Sequence, residues 1–254
     1  MSLLEVDHVK KVYKARLGAE TVALRDVHFT VEEGEFVAIM GESGSGKTTL
    51  LNILASLDVP TAGSVLVKGK DFSSLKDDER AVMRRKNLGF IFQDFNLLDN
   101  FTVEDNIKLP LVLSGEDPLA MDAKVEPLAK QLGIDSLLKQ YPYEISGGQK
   151  QRTAVARALI TKPEILLADE PTGALDSKAS TRLMEQLSEI HASGQTILMV
   201  THSNVAASYA HRVMFIRDGE VFHQIYRGDM TRRQMLDKIC DAVTVLMRGG
   251  EEGE

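Results

Sequence analysis

"EGEFVAIMGESGSGKTTLLNILASL", Glu33 to Leu57, decides the reading of this chain. The apolar run ending at Met40 predicts a strand, with a turn at Glu33-Gly34 before it. "TLLNILASL" predicts a helix with a buried stripe. Between them "GESGSGKT", Gly41 to Thr48, follows the pattern Gly, four residues, Gly-Lys-Thr. Glycines at such positions let backbone amides wrap phosphate groups. The candidate nucleotide contacts are Gly41, Glu42, Ser43, Gly44, Ser45, Gly46, Lys47, Thr48 and Thr49. Lys47 is expected to reach the β- and γ-phosphates, and the Thr48 hydroxyl to hold Mg²⁺. A chance glycine-rich turn is the bland alternative, but the motif lies between strand and helix, as the chemistry demands. Glu42 is odd beside phosphates, and its side chain is expected to point away from the loop.

Outward from this stretch, the order of elements alternates. "LLEVDHV" and "LRDVHFTVEEGEFVAIM" read as strands, and "SVLVKG" and "LGFIF" as two more. Ser74 with Asp77 resembles a capping box opening "KDDERAVMRRK". From Asp94 to Ala158 the pattern is helical. Thr102 with Asp105 and Asp117-Pro118 read as helix starts, and Pro110 is expected to end or kink the first of these helices. After Pro163 the alternation resumes with "EILLAD", a continuous apolar strand of the kind covered on both faces. A helix from Ser177 to His191 is closed by Gly194, "TILMV" is the next strand, and a hairpin turns at Asp218-Gly219. An amphipathic helix near Gln234 to Leu246 leads into the acidic tail "RGGEEGE".

The 254 residues carry a formal charge of −7, which disfavours nucleic acid as the main partner. A single cysteine, Cys240, excludes an internal disulfide framework and fits a reducing compartment. No segment approaches the roughly 20 apolar residues of a membrane span. The first residues lack the apolar core of a signal peptide, so a membrane role is expected to come through a partner chain.

"YEISGGQKQRTAVARAL", Tyr143 to Leu159, predicts a second anion site, because the first amides of a helix lack partners and carry partial positive charge. Its donors are expected around Ser146, Gly147, Gly148 and Gln149. "ILLADE" sets Asp169 and Glu170 at a strand exit, the edge where open α/β sheets bind ligands. Asp169 fits a metal-holding acid, and Glu170 could polarise a water for in-line attack on a γ-phosphate. His202 ends "TILMVTH" and can donate to a γ-phosphate oxygen. Gln93, after "LGFIF", could join the Mg²⁺ shell or the attacking water. Tyr13 could stack on adenine, or be a plain exposed strand aromatic. His8, His28, His191, His211 and His223 read as surface or packing residues.

Together the phosphate loop, "ISGGQKQR", "DEPTGALD" and the late "TH" resemble the ATP-binding-cassette ATPases over nearly the whole chain. That resemblance implies an α/β fold: a phosphate-loop NTPase core with a mostly parallel sheet, an N-terminal antiparallel β subdomain, and an inserted helical subdomain at about 94–158. The cassette would span 1–230, with a C-terminal helix and tail over 231–254. It implies ATP and Mg²⁺ as ligands, the latter held by Thr48, Gln93 and Asp169. Glu170, His202 and Gln93 would be catalytic. It also implies a homodimer when ATP is bound. Ser146, Gly147, Gly148 and Gln149 of one copy would meet the ATP held by the other, with Asp176 at the interface.

"NLLDNFTVEDNIKLPL" and "VAASYAHRVMFIRDGEVF" are most similar to the lipoprotein-release and macrolide-export branch. Within it they resemble the ATPases of bacitracin and lantibiotic resistance. This implies a membrane permease partner, with a sensor kinase often alongside it, a cytoplasmic location on the inner face of the plasma membrane, and no nucleic acid. Related ATPases that regulate cell-wall hydrolases through a membrane partner are the nearest alternative. Cassettes of DNA repair insert a long coiled coil and those of translation fuse two cassettes in one chain, and neither feature is present.

Overall fold

β3 (Phe36–Met40) is buried at every residue, as a strand covered on both faces must be. It feeds the glycine loop and then α1 (Lys47–Leu54), which buries Leu50, Leu51, Ile53 and Leu54. The structure is a computed structural model that describes residues 2–14 and 20–248, without the side chains of 246–248. It divides into two compact units. Met1–Leu54, Asp58–Ser73 and Leu198–Glu254 form the first; Ala55–Leu57 and Ser74–Ile197 form the second.

The first unit is built on β1 (Ser2–Lys14), β2 (Glu20–Glu32), β3, β4 (Ala62–Val67), β5 (Lys70–Asp71), β9 (Arg212–Arg217) and β10 (Glu220–Tyr226). Their order is β5-β4-β1-β2-β10-β9-β3. The β1–β2, β1–β4, β4–β5 and β9–β10 pairs are antiparallel. β3 runs parallel to β9. The expected antiparallel β subdomain beside a parallel core is therefore present. Leu198–Val200 of β8 (Thr196–Val200) belong here, and the Thr201 amide donates to Ile39 O at 3.0 Å. The Asp218-Gly219 hairpin turn has both residues at positive φ, 51° and 79°, the geometry that a two-residue turn between twisted strands needs. α7 (Asn204–Ala207) and α8 (Arg232–Arg248) complete the unit. α8 is longer than the expected 234–246. The acidic tail from 249 on and the stretch 15–19 lie outside the described residues.

The second unit carries α2 (Asp77–Asn87), β6 (Leu88–Ile91), α3 (Val103–Leu113), α4 (Pro118–Gln131), α5 (Gly147–Leu159), β7 (Ile165–Asp169) and α6 (Ser177–Ala192). β6 and β7 are parallel, with Ile91 opposite Ala168. Between Asp94 and Ala158 every described element is helical, including two short 3₁₀ turns at Asp135–Leu137 and Pro142–Glu144. Thr102 and Asp105 form the expected capping box of α3, and Asp117 caps α4 ahead of Pro118.

Two local expectations are corrected. Ser74 and Asp77 do not open α2. The cap position is Lys76, whose amide donates to Glu79 Oε2 at 3.0 Å, so the reaching acid is Glu79. Of the two outcomes expected at Pro110, an end or a kink, the end does not occur. The helix runs on to Leu113, and the Ser114 amide and hydroxyl both close on Pro110 O. The proline withholds one N–H, but its carbonyl still accepts, and this suffices for a last turn.

Candidate functional site

In the first unit the loop Gly41–Gly46 is shaped by close backbone approach. Gly44 and Gly46 have φ of 82° and 101°, which side chains of L-residues resist. A Cβ at Gly46 would lie 2.5 Å from Ala23 O, and one at Gly41 only 2.3 Å from Ile216 O. Two strands thus approach the loop so closely that only glycine fits at these two points. Lys47 Nζ donates to Gly41 O at 2.8 Å and to Glu42 O at 2.7 Å, so the cation arches over the loop. Phosphate oxygens are stronger acceptors for an ammonium than neutral carbonyls. Ser45 Oγ is buried without a hydrogen-bond partner among the described residues, a polar atom left for an anion to satisfy. Glu42 is exposed, as are Ser43 and Thr48. The donor set therefore fits a polyphosphate.

Tyr13 presents its ring at the surface, 42% exposed. Its hydroxyl donates to Asp58 Oδ2 at 2.8 Å. Asp58 in turn takes Lys11 Nζ at 2.5 Å, and that ammonium sits 4.9 Å from the centre of the Tyr13 ring. Burial pushes the Tyr13 phenol above its ordinary pKa, and Asp58 adds to it. Burial also pushes the Asp58 carboxyl up, but the bonds from Lys11 and Tyr13 outweigh it and hold the group below the usual carboxylate value. Sequence reading had no signal for Lys11 or Asp58, because the pair joins positions 47 apart. His202 follows directly on Thr201, which bonds Ile39 two residues before the loop, so His202 and Gly41 leave neighbouring strands at the same end.

In the second unit, Gln93 and Glu170 each lie two residues beyond the paired Ile91 and Ala168. They leave adjacent parallel strands side by side, with Asp169 closing β7. Glu170 adopts φ 43°, a conformation costing a non-glycine residue about 1–3 kcal/mol. The turn that imposes it is closed by Gly173 N donating to Glu170 O at 2.9 Å. The Gln93 amide lies against Gly173, where a Cβ would stand 3.3 Å from Nε2. Gln151 Nε2 ties α5 to the same turn through Pro171 O at 2.7 Å.

Ser146 caps α5. Its Oγ accepts from Gln149 N at 3.3 Å, and Gln149 Oε1 accepts from Ser146 N at 2.7 Å. The Gln149 side chain is thereby engaged in the cap. The first-turn amides of Gly147 and Gly148, which a helix cannot satisfy itself, remain for an outside acceptor. A Cβ at Gly148 would meet Ala179 Cβ at 3.2 Å, so glycine lets α5 approach α6. Asp176 caps α6 through Ala179 N at 2.8 Å, which sets it beside this helix start.

The segment after Gln93 is held from two sides. Asn106, fully buried, accepts from Leu98 N at 2.8 Å and donates to Leu98 O, Phe101 O and Thr102 O at 3.0–3.2 Å. Arg157 donates to Phe95 O at 2.8 Å and to Asn96 O, and burial lowers its pKa from the ordinary arginine value. Phe95 and Asn96 both have positive φ, 62° and 48°, and these guanidinium bonds fix that bend. Leu98 and Phe101 remain exposed, whereas Phe95 and Leu97 are half-buried. An open apolar cavity of about 420 Å³ lies in this unit, lined by Leu88, Phe90, Phe92, Pro110, Leu113 and Arg157 among others.

Residues 24–173 match the family model described as ABC transporter. The chain is 50% identical to the ABC transporter ATP-binding protein YxdL of Bacillus subtilis, covering 96% of this chain and 95% of the relative. It is 47% identical to the bacitracin export ATP-binding protein BceA of Halalkalibacterium halodurans over the whole of both chains. Among solved structures it resembles the ABC transporter cassette MJ0796, solved as a dimer and also as a dimeric post-hydrolysis state bound to ADP and Pi. The TM-score is 0.81 at 38% identity, over 88% of this chain and 98% of that one.

Proposed function

This chain belongs to the ABC transporter family, and we propose that it is the ATPase of a peptide-antibiotic resistance transporter, working as an ATP-clasped homodimer on a membrane permease. It is an ATP-binding, ATP-hydrolysing cassette. The observation that carries the dimer reading is the capped start of α5. Its box satisfies the Ser146 and Gln149 amides, and those of Gly147 and Gly148 have no acceptor within the helix. A second copy's γ-phosphate is an acceptor of the right charge for them. ATP then acts as the adhesive between copies, and phosphate loss releases them.

In this reading Lys47, Ser45 and the loop amides hold the phosphates, and the Tyr13 ring supports adenine. Thr48, Asp169 and Gln93 would hold Mg²⁺, whose charge stabilises the phosphates during transfer. Glu170 polarises the attacking water, His202 donates to the γ-phosphate, and Asp176 serves the interface between copies. The permease docks on the helical insert, where Leu98 and Phe101 stand exposed on a segment anchored by Asn106 and Arg157. Among the described residues no helix is long and apolar enough to cross a membrane, which fits a cytoplasmic ATPase attached through that permease.

The peptide-antibiotic assignment is supported by the full-length similarity to BceA, and a sensor kinase beside the permease is part of the same proposal. Deleting the gene and restoring it tests the assignment. Loss of bacitracin or lantibiotic resistance is expected, restored by the wild type but not by Lys47→Ala. Unchanged susceptibility to both classes would overturn it.

A further inference from the structure

On the outer face of the β1–β2 pair, the register places Val6 opposite Phe29 and Val9 opposite Val27. Two residues of β1, Asp7 and His8, therefore face the single residue His28 of β2. This is a bulge, and His8 takes φ 48° within it. In a regular strand Asp7 and His8 would point to opposite faces; the bulge turns both to one side. One ligand atom from each of Asp7, His8 and His28 lies within 4.8 Å of the others. The two imidazoles stack with centres 5.0 Å apart, and His28 Nδ1 lies 3.6 Å from Asp7 Oδ1. A fourth residue, Asp26, holds His8 Nδ1 at 2.8 Å, which leaves the other ring nitrogen of His8 for a ligand. A carboxylate behind a histidine is the usual support of a metal-bound imidazole.

We propose that Asp7, His8 and His28 bind one divalent transition cation of the Zn²⁺ type, with Asp26 orienting His8 from behind. Two imidazole nitrogens and one carboxylate oxygen select Zn²⁺ over Mg²⁺ or Ca²⁺, which prefer all-oxygen shells. Water completes the fourth position. All four side chains are about half exposed or more, so the ion has open access and their substitution spares the core. The site is separate from the phosphate loop and takes no part in ATP chemistry.

The test uses the full, tag-free chain after chelator treatment, titrated with ZnCl₂ by calorimetry and with CoCl₂ by visible absorption. One Zn²⁺ per chain is expected, with the intense absorption of tetrahedral cobalt. His8→Ala and His28→Ala should each weaken binding at least about tenfold, and Asp26→Asn by about 10–100-fold. His223→Ala should leave it unchanged, and circular dichroism should match the wild type throughout. An absence of saturable Zn²⁺ binding, or binding that survives the double substitution His8→Ala/His28→Ala, would overturn the proposal.

Discussion

Replacing Asn106 by alanine should release the segment between Gln93 and α3. Asn106 is fully buried and its amide makes four hydrogen bonds, one accepted from Leu98 N and three donated to Leu98, Phe101 and Thr102 carbonyls. The two protons of Nδ2 are shared among three carbonyls, so with the accepted bond this amounts to three bonds, about 1.5–4.5 kcal/mol at a net worth of about 0.5–1.5 kcal/mol each. Of the groups released, Leu98 N–H loses its partner, at about 1–3 kcal/mol, whereas Leu98 O keeps the Phe101 N–H at 3.1 Å. Urea unfolding followed by circular dichroism should show that loss, and hydrogen exchange should show the Leu98 amide losing its protection. Asn106→Asp keeps the acceptor for Leu98 N–H but turns a carboxylate toward three carbonyls, so it should not rescue. A loss below about 0.5 kcal/mol, the range of ordinary surface changes, with Leu98 exchange unchanged, would refute the clamp.

Ser146→Ala removes half of the α5 capping box, at about 1 kcal/mol of stability; steady-state turnover should slow while nucleotide affinity of the monomer, read by fluorescence titration, stays put. Asp58→Ala leaves the Lys11 ammonium with Val59 O as its remaining acceptor, which should cost about 1–3 kcal/mol and weaken ATP binding through a loosened Tyr13. Because the folded Asp58 carboxyl lies below its ordinary value, its contribution is present above pH about 4 and disappears as pH falls through the folded pKa. Asp58→Asn should therefore flatten the acid limb of the stability profile, measured by melting temperature against pH.

The parts legible in the sequence are local. The loop Gly41–Thr48 announces itself because strand, glycines and helix are contiguous, and the caps at Thr102, Asp117 and Ser146 rest on partners three residues away or fewer. The exits of β6 and β7 were readable because an apolar run ending in a polar residue is a strand edge. What stayed hidden depends on distance along the chain. Lys11 with Asp58, and Arg157 with Phe95 and Asn96, join positions 47 to 62 apart, and no pattern marks them. Lys76 took the cap from Ser74 because Glu79 could reach back to its amide. Pro110 lies only three residues from the end of α3, so the helix forgoes one N–H bond there, while the Pro110 carbonyl still closes on the Ser114 amide and hydroxyl. His8 and His28 read as ordinary surface residues, since the bulge that gathers them appears only in the register.

In the proposed dimer, ATP is held by amides of two copies. Sedimentation velocity of Glu170→Gln with ATP and Mg²⁺ tests it most directly. Intact ATP binding, almost no hydrolysis, and conversion of monomer to dimer that reverses when nucleotide is removed are expected. A variant that binds ATP yet stays monomeric at every protein concentration would contradict it.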